Sequence, residues 1–166
     1  PHLAKADRVL DVGCGDGEIC RRLAKRGVSG VGIDPRLAKR PDVAGFDFIA
    51  GNFPDASPEG EPFDAITMLA VLEHVPSGQK PIWVEACHVR LVKGGVVVLT
   101  VPSPRVDSIL AVLRFFRLVD GMALEEHHGF DPNEVGPLFE AAGFQRVIHK
   151  TFQFGLNNLF VFSKTT

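Results

Sequence analysis

The sequence predicts an α/β fold: a Rossmann-like, doubly wound, mostly parallel sheet with helices on both faces and a C-terminal antiparallel hairpin. Three observations predict it. Short apolar runs alternate with helical periods through roughly the first hundred residues, the rhythm of parallel strands joined by crossover helices. The run Val96 to Val101 is almost wholly β-branched, as in a strand covered on both faces. The glycine-rich turn Gly13-Cys14-Gly15-Asp16-Gly17 directly follows an apolar run, and an open parallel sheet places its ligand crevice at such strand ends.

Each element has its own reason. Arg8 to Val12 reads as a buried strand, followed by a helix from Gly17 to Arg26 that stops at Gly27, a natural C-terminal cap. Gly30 to Asp34 and Phe46 to Ala50 are the second and third strands. The turn-rich loop Pro54 to Pro62 precedes a fourth, Phe63 to Leu69. After Pro76-Ser77-Gly78 the spacing predicts a helix through Trp83 to Leu91, with Pro81 tolerable only in its first turn. Gly94-Gly95 then turns into the Val96 to Val101 strand. Asp107 to Val119 is a strongly apolar helical segment with Arg114 and Arg117 on a polar stripe. Asp131-Pro132-Asn133-Glu134 opens another helix, with a capping aspartate, proline at the first helical position and glutamate placed for a capping box. That helix ends at Gly143. Phe144 to Phe152 and Leu159 to Ser163 form the hairpin, joined near Gly155 and Asn157-Asn158.

A chain of 166 residues is sized for one domain, here residues 1–166 with a lid inserted at about 104–128. It opens on Pro1 rather than methionine, and a strand begins a few residues later, so a preceding segment is expected to be missing. The net charge of −2 and the lack of any basic run argue against a nucleic-acid surface. Cys14, Cys20 and Cys87 form neither a CxxC pair nor a disulfide framework, which fits a reducing, cytoplasmic setting. The sequence contains no secretory signal and no apolar stretch long enough to span a bilayer.

The glycine turn suggests its ligand by spacing and by charge. Gly13, Gly15 and Gly17 depart from the G-x-G-x-x-G spacing of a dinucleotide fingerprint. Asp11, Asp16 and Glu18 surround the turn, which disfavours a pyrophosphate and favours an ammonium or sulfonium centre. The turn therefore suits a cationic or zwitterionic adenosine derivative. Asp34, ending the second strand, stands where a carboxylate accepts from both ribose hydroxyls.

Five segments in order, "VLDVGCGDG", "GVGIDP", "AGNFPD", "FDAITMLAVLEHVP" and "LVKGGVVVLTVP", resemble the class I S-adenosylmethionine-dependent methyltransferases. The resemblance implies S-adenosyl-L-methionine as cofactor and S-adenosyl-L-homocysteine as product. It assigns Asp11, Gly13 and Gly15 to the methionine end, with Cys14 as the small residue between the glycines, and Asp34 to the ribose. Asn52 stands where the family often has aspartate near the adenine amino group, and its amide can still accept that bond. Phe53 is expected on the purine face, and Leu69 and Ala70 beside the sulfonium and its methyl group.

A sulfonium already carries a good leaving group, so the protein mainly positions an in-line displacement, aided at a hydroxyl or amine acceptor by a general base. The segment "VLEHVP" resembles the ubiquinone-pathway O-methyltransferases and related small-molecule enzymes. Some members hold a divalent metal with an E-x-x-E-H pattern. Ala70 replaces the first glutamate here, so no metal is expected. The candidate bases are His74, His127 and His128. Glu73 joins them as a candidate, or else works with His74 to orient the loop. Glu125 and Glu126 would raise the pKa of the histidine pair if close. The apolar helix at 107–119 is a core or dimer helix, a wrap over a hydrophobic acceptor, or a peripheral membrane contact. The expected function is methyl transfer to a small, apolar acceptor at oxygen. Transfer to carbon or nitrogen, or cofactor binding without turnover, uses the same cofactor residues.

Overall fold

The computed structural model describes residues 2–3, 5–103 and 131–165. The segment expected to form a lid at about 104–128, with the expected apolar helix and with His127 and His128, lies outside the described residues. The elements in chain order are β1 (Arg8–Val12), α1 (Glu18–Ala24), β2 (Ser29–Asp34), β3 (Phe46–Ala50) and β4 (Phe63–Leu69). A 3-10 turn (Leu72–His74) leads to α2 (Lys80–Arg90) and β5 (Leu91–Pro102). A second 3-10 turn (Pro132–Glu134) runs into α3 (Val135–Ala141), followed by β6 (Phe144–Phe152) and β7 (Asn157–Lys164).

The strands form one seven-stranded sheet in the order β3-β2-β1-β4-β5-β7-β6. The first five pair in parallel, and β7 runs antiparallel to both β5 and β6. Side-chain alternation sends Leu10, Val12, Ile66, Met68 and Leu99 to one face, where Val84 and Cys87 of α2 and Val135 and Phe139 of α3 cover them. Val9 and Ala65 point to the other face, against Cys20 and Leu23 of α1. Helices therefore cover both faces. Phe139 stacks on Phe162 with ring centroids 4.3 Å apart, tying α3 to β7.

Where boundaries differ from the sequence reading, backbone bonds explain the difference. The stop at Gly27 is a Schellman motif: Gly27 has φ +80°, its N–H donates to Ala24, and the Val28 N–H donates to Leu23. α2 begins at Lys80, before Trp83, because the amides of Gln79 and Lys80 both donate to the Pro76 carbonyl and continue the turn. Pro81 falls in the first turn, where no N–H is required. β5 begins at Leu91 rather than Val96. Leu91 pairs with Phe63 and Val96 with Ala65, so the glycine pair is a bulge within the strand. Asp131 caps by accepting from the Asn133 N–H at 2.9 Å, and the helix it opens starts as a 3-10 turn. Asn157 and Asn158 lie in β7 because Gln153, Phe154 and Gly155, with φ of 50°, 58° and 81°, have already reversed the chain.

Among the described residues no helix is long and apolar enough to cross a membrane.

Candidate functional site

The strand order reverses between β1 and β4, since β2 and β3 extend the sheet one way and β5 the other. Such a switch point opens a crevice at the carboxyl ends of the strands. A cavity of about 800 Å³ lies there, bounded by Gly13, Asp34, Asn52, Ala70, His74 and Trp83 among others. A smaller recess of about 310 Å³ adjoins it, with Gly15, Asp16 and Lys39 in its wall, and Asp34 and Arg36 belong to both.

The three glycines of the turn have three different causes. Gly13 has φ +75°, and a Cβ there would meet Val71 Cγ2 at 2.4 Å, so the protein's own loop after β4 excludes a side chain. Its N–H and that of Cys14 donate to the Ile33 carbonyl at 2.7 and 3.1 Å, fixing the turn to β2. Gly17, at φ +81°, packs against Phe48 and Pro41. Gly15, at φ +53°, has nothing among the described residues within 4 Å of its would-be Cβ. The open space over the turn is thus at Gly15, beside Asp34, which is where a ligand backbone or sugar has room.

Asp34 is 4% exposed, and its two oxygens accept from the amides of Gly15 at 2.9 Å and Arg36 at 2.7 Å. Each carboxylate oxygen has a second lone-pair site, so the group can accept two further hydrogen bonds from a sugar. Asp16 and Glu18 contribute less to the charge at the turn than the sequence suggests. Arg21 pairs with Asp16 at 3.1 Å and with Glu18 at 3.2 Å, and Arg22 pairs with Glu18 at 2.7 Å. The carboxylates that line the larger cavity are Asp34 and Asp55.

Asp11 lies beneath the turn rather than in the cavity wall. It is 3% exposed, accepting from the Thr67 hydroxyl at 2.5 Å and the Cys20 thiol at 3.5 Å. Burial pushes its pKa up to about 6, with Asp34 adding to the rise. Cys14 is buried in the turn, and burial raises its thiol to about 12, so it is unreactive.

The chain leaves β4 through Ala70, whose φ of 56° is unusual for a residue with a Cβ. Its N–H donates to both the carbonyl and the hydroxyl of Thr100 at 3.1 Å, which holds this left-handed turn. The turn brings Val71 and His74 to the cavity wall. Leu69, half-buried and paired with Thr100, is not in that wall. Glu73 is turned inward. It is 2% exposed, its Oε2 has no hydrogen-bond partner among the described residues, and burial pushes its pKa up to about 7.

Asn52 is exposed at the cavity, whereas Phe53 is 3% exposed and sits edge-on to Trp83 with centroids 5.2 Å apart. Gln79 and Trp83 also line the cavity, and the sequence reading did not single them out. The available signal was their four-residue spacing at the start of α2, which puts both side chains on one helix face. Among the described residues no group of three histidine, cysteine or carboxylate side chains is placed to hold a metal ion.

A family model described as a methyltransferase domain matches residues 1–150. The chain belongs to the class I S-adenosylmethionine-dependent methyltransferases. The ubiquinone biosynthesis O-methyltransferase of Psychrobacter arcticus is 30% identical to this methyltransferase over 155 residues, covering 84% of this chain and 59% of the relative. The enzyme of that name from Pseudomonas aeruginosa is 31% identical, covering 83% and 64%. The chain thus spans about three fifths of the length of these relatives. In fold the methyltransferase resembles the 1,6-didemethyltoxoflavin-N1-methyltransferase of Burkholderia thailandensis, with a TM-score of 0.71 and 21% identity over 99% of this chain and 74% of that one.

Proposed function

We propose that this methyltransferase transfers the methyl group of S-adenosyl-L-methionine to the oxygen of a small, apolar acceptor. The observation that carries the reading is the single cavity that joins Gly13 and Asp34 to Ala70 and His74. The cofactor supplies an electrophilic methyl group on a positive sulfur, and the residues around the turn fit it. Asp34 offers two acceptor sites to the ribose, and Gly15 leaves the room that the sugar and the methionine chain need. Asn52 takes one hydrogen of the adenine amino group, and Asp11, one layer below the turn, adds negative charge near the sulfonium. Ala70 gives the methyl group a wall with no bulky side chain.

His74, exposed on that wall, is the base that receives the hydroxyl proton as the new carbon–oxygen bond forms. His127 and His128 are proposed to stand with it at the acceptor. Oxygen as the acceptor atom is supported by the names of the ubiquinone-pathway relatives, and an apolar acceptor by Val71, Val75 and Ile82 in the wall.

The test is calorimetric titration with S-adenosylhomocysteine, with Asp34→Ala alongside, followed by methyl-transfer assays on apolar phenols. Micromolar binding that the variant loses supports the cofactor assignment. If transfer survives replacement of His74, His127 and His128 together, base catalysis by these residues is wrong.

A further inference from the structure

We propose that the purine of the cofactor is held against α2, with the Trp83 indole as its stacking surface and the Gln79 amide reading its amino edge. The inference rests on the cofactor assignment above and extends it to residues outside the strand ends. Three observations lead to it.

The first is direction. With the ribose on Asp34 at the end of β2 and the methyl group towards the glycine turn and Ala70, the base must extend to the other side of Asp34, over the end of β3. The cavity continues there, along Asn52 and Phe53 to Gln79 and Trp83. The second is the state of the two aromatic rings at that end. Phe53 is 3% exposed, belongs to the core, and turns an edge to Trp83 at an interplanar angle of 74°. Its ring is already used in packing. Trp83 is half-buried and lines the cavity, so its indole is the aromatic surface left for a base. The third is helical register. The Trp83 N–H donates to the Gln79 carbonyl at 3.1 Å, which places the two side chains one turn apart on the same face.

A planar base on an indole gains stacking energy whatever its substituents. The side-chain amide of glutamine adds selectivity, because it presents one acceptor and one donor. That pattern matches the amino group and N7 of adenine. Hypoxanthine presents two acceptors, O6 and N7, on that edge and cannot satisfy it.

The chain has a single tryptophan, so its emission reports on Trp83 alone. The experiment titrates the chain with S-adenosylhomocysteine and with S-inosylhomocysteine, reading heat and tryptophan emission together. The expected result is one dissociation constant from both signals, a loss of about ten-fold or more in Trp83→Ala, and near-retention in Trp83→Phe. Wild type should prefer the adenosyl ligand by about ten-fold, and Gln79→Ala should narrow that preference. Normal heats with unchanged emission and full affinity in Trp83→Ala would overturn the assignment and leave the cofactor reading standing. If Trp83→Ala loses its fold by circular dichroism, an adenosyl-to-inosyl ratio unaltered in Gln79→Ala overturns it instead. Absence of heat from folded wild type would refute the cofactor reading itself, and this inference with it.

Discussion

Replacing Asp34 by alanine removes two charge-assisted acceptors from the sugar site and leaves the amides of Gly15 and Arg36 without a partner. Such bonds are each worth about 1.5–3 kcal/mol, so S-adenosylhomocysteine should bind at least ten-fold more weakly in calorimetry. Undiminished affinity would remove Asp34 from the ribose. The glycines allow a sharper comparison. Alanine at Gly13 must displace Val71, whereas alanine at Gly15 meets no atom of the described residues. Both variants carry a left-handed backbone cost of about 1–2 kcal/mol. Gly13→Ala should therefore be the less stable of the two in urea unfolding, with Val71→Ala restoring part of the loss. Gly15→Ala should keep more of its fold and lose ligand affinity. Equal stabilities would mean that Val71 moves aside freely. The sequence shows that side chains are forbidden in this turn. It does not show which neighbour forbids them, because Val71 is far away along the chain and arrives only through the turn at Ala70.

At the scale of elements, strand existence was readable from β-branched runs, and helix ends from Gly27 and Asp131. What was hidden depended on tertiary pairing. The start of β5 at Leu91 needs β4 as its template, and the orientation of Trp83 needs Phe53 beside it. Asp11 reads as a strand-end carboxylate, yet its register partner Thr67 takes it into the interior. The β6–β7 turn carries a local conflict that can be tested. Phe154 is fully exposed at φ 58°, so its ring contributes no packing and its backbone is disfavoured. Phe154→Asn, which tolerates that conformation, should raise stability by about 0.5–1 kcal/mol in a thermal melt. A decrease in melting temperature would mean that the ring has a partner that pays for the strain.

For the molecule as a whole, buried carboxyls set the direction of pH dependence. An aspartate in the unfolded chain ionises near 4, while Asp11 in the fold keeps its proton to about 6. Between those values unfolding releases a proton, so stability falls as pH rises and levels off above pH 6. Glu73 acts in the same direction, up to about pH 7. Asp11→Asn should therefore gain up to about 3 kcal/mol at pH 8 and little at pH 4, as read by urea unfolding at both. An equal gain at the two pH values would show that the ionised carboxylate is not the source.

Strand order adds a consequence for synthesis. β7 emerges from the ribosome after every other described strand, yet it lies inside the sheet, bonded to β5 on one side and β6 on the other. Until it arrives, β5 has a bare edge rich in valine and β6 has no strand beside it. A chain in which β7 has not yet been made thus presents a template for pairing with other chains. A chain truncated before Asn157 should aggregate and be captured by chaperones, where a chain that includes β7 closes the sheet.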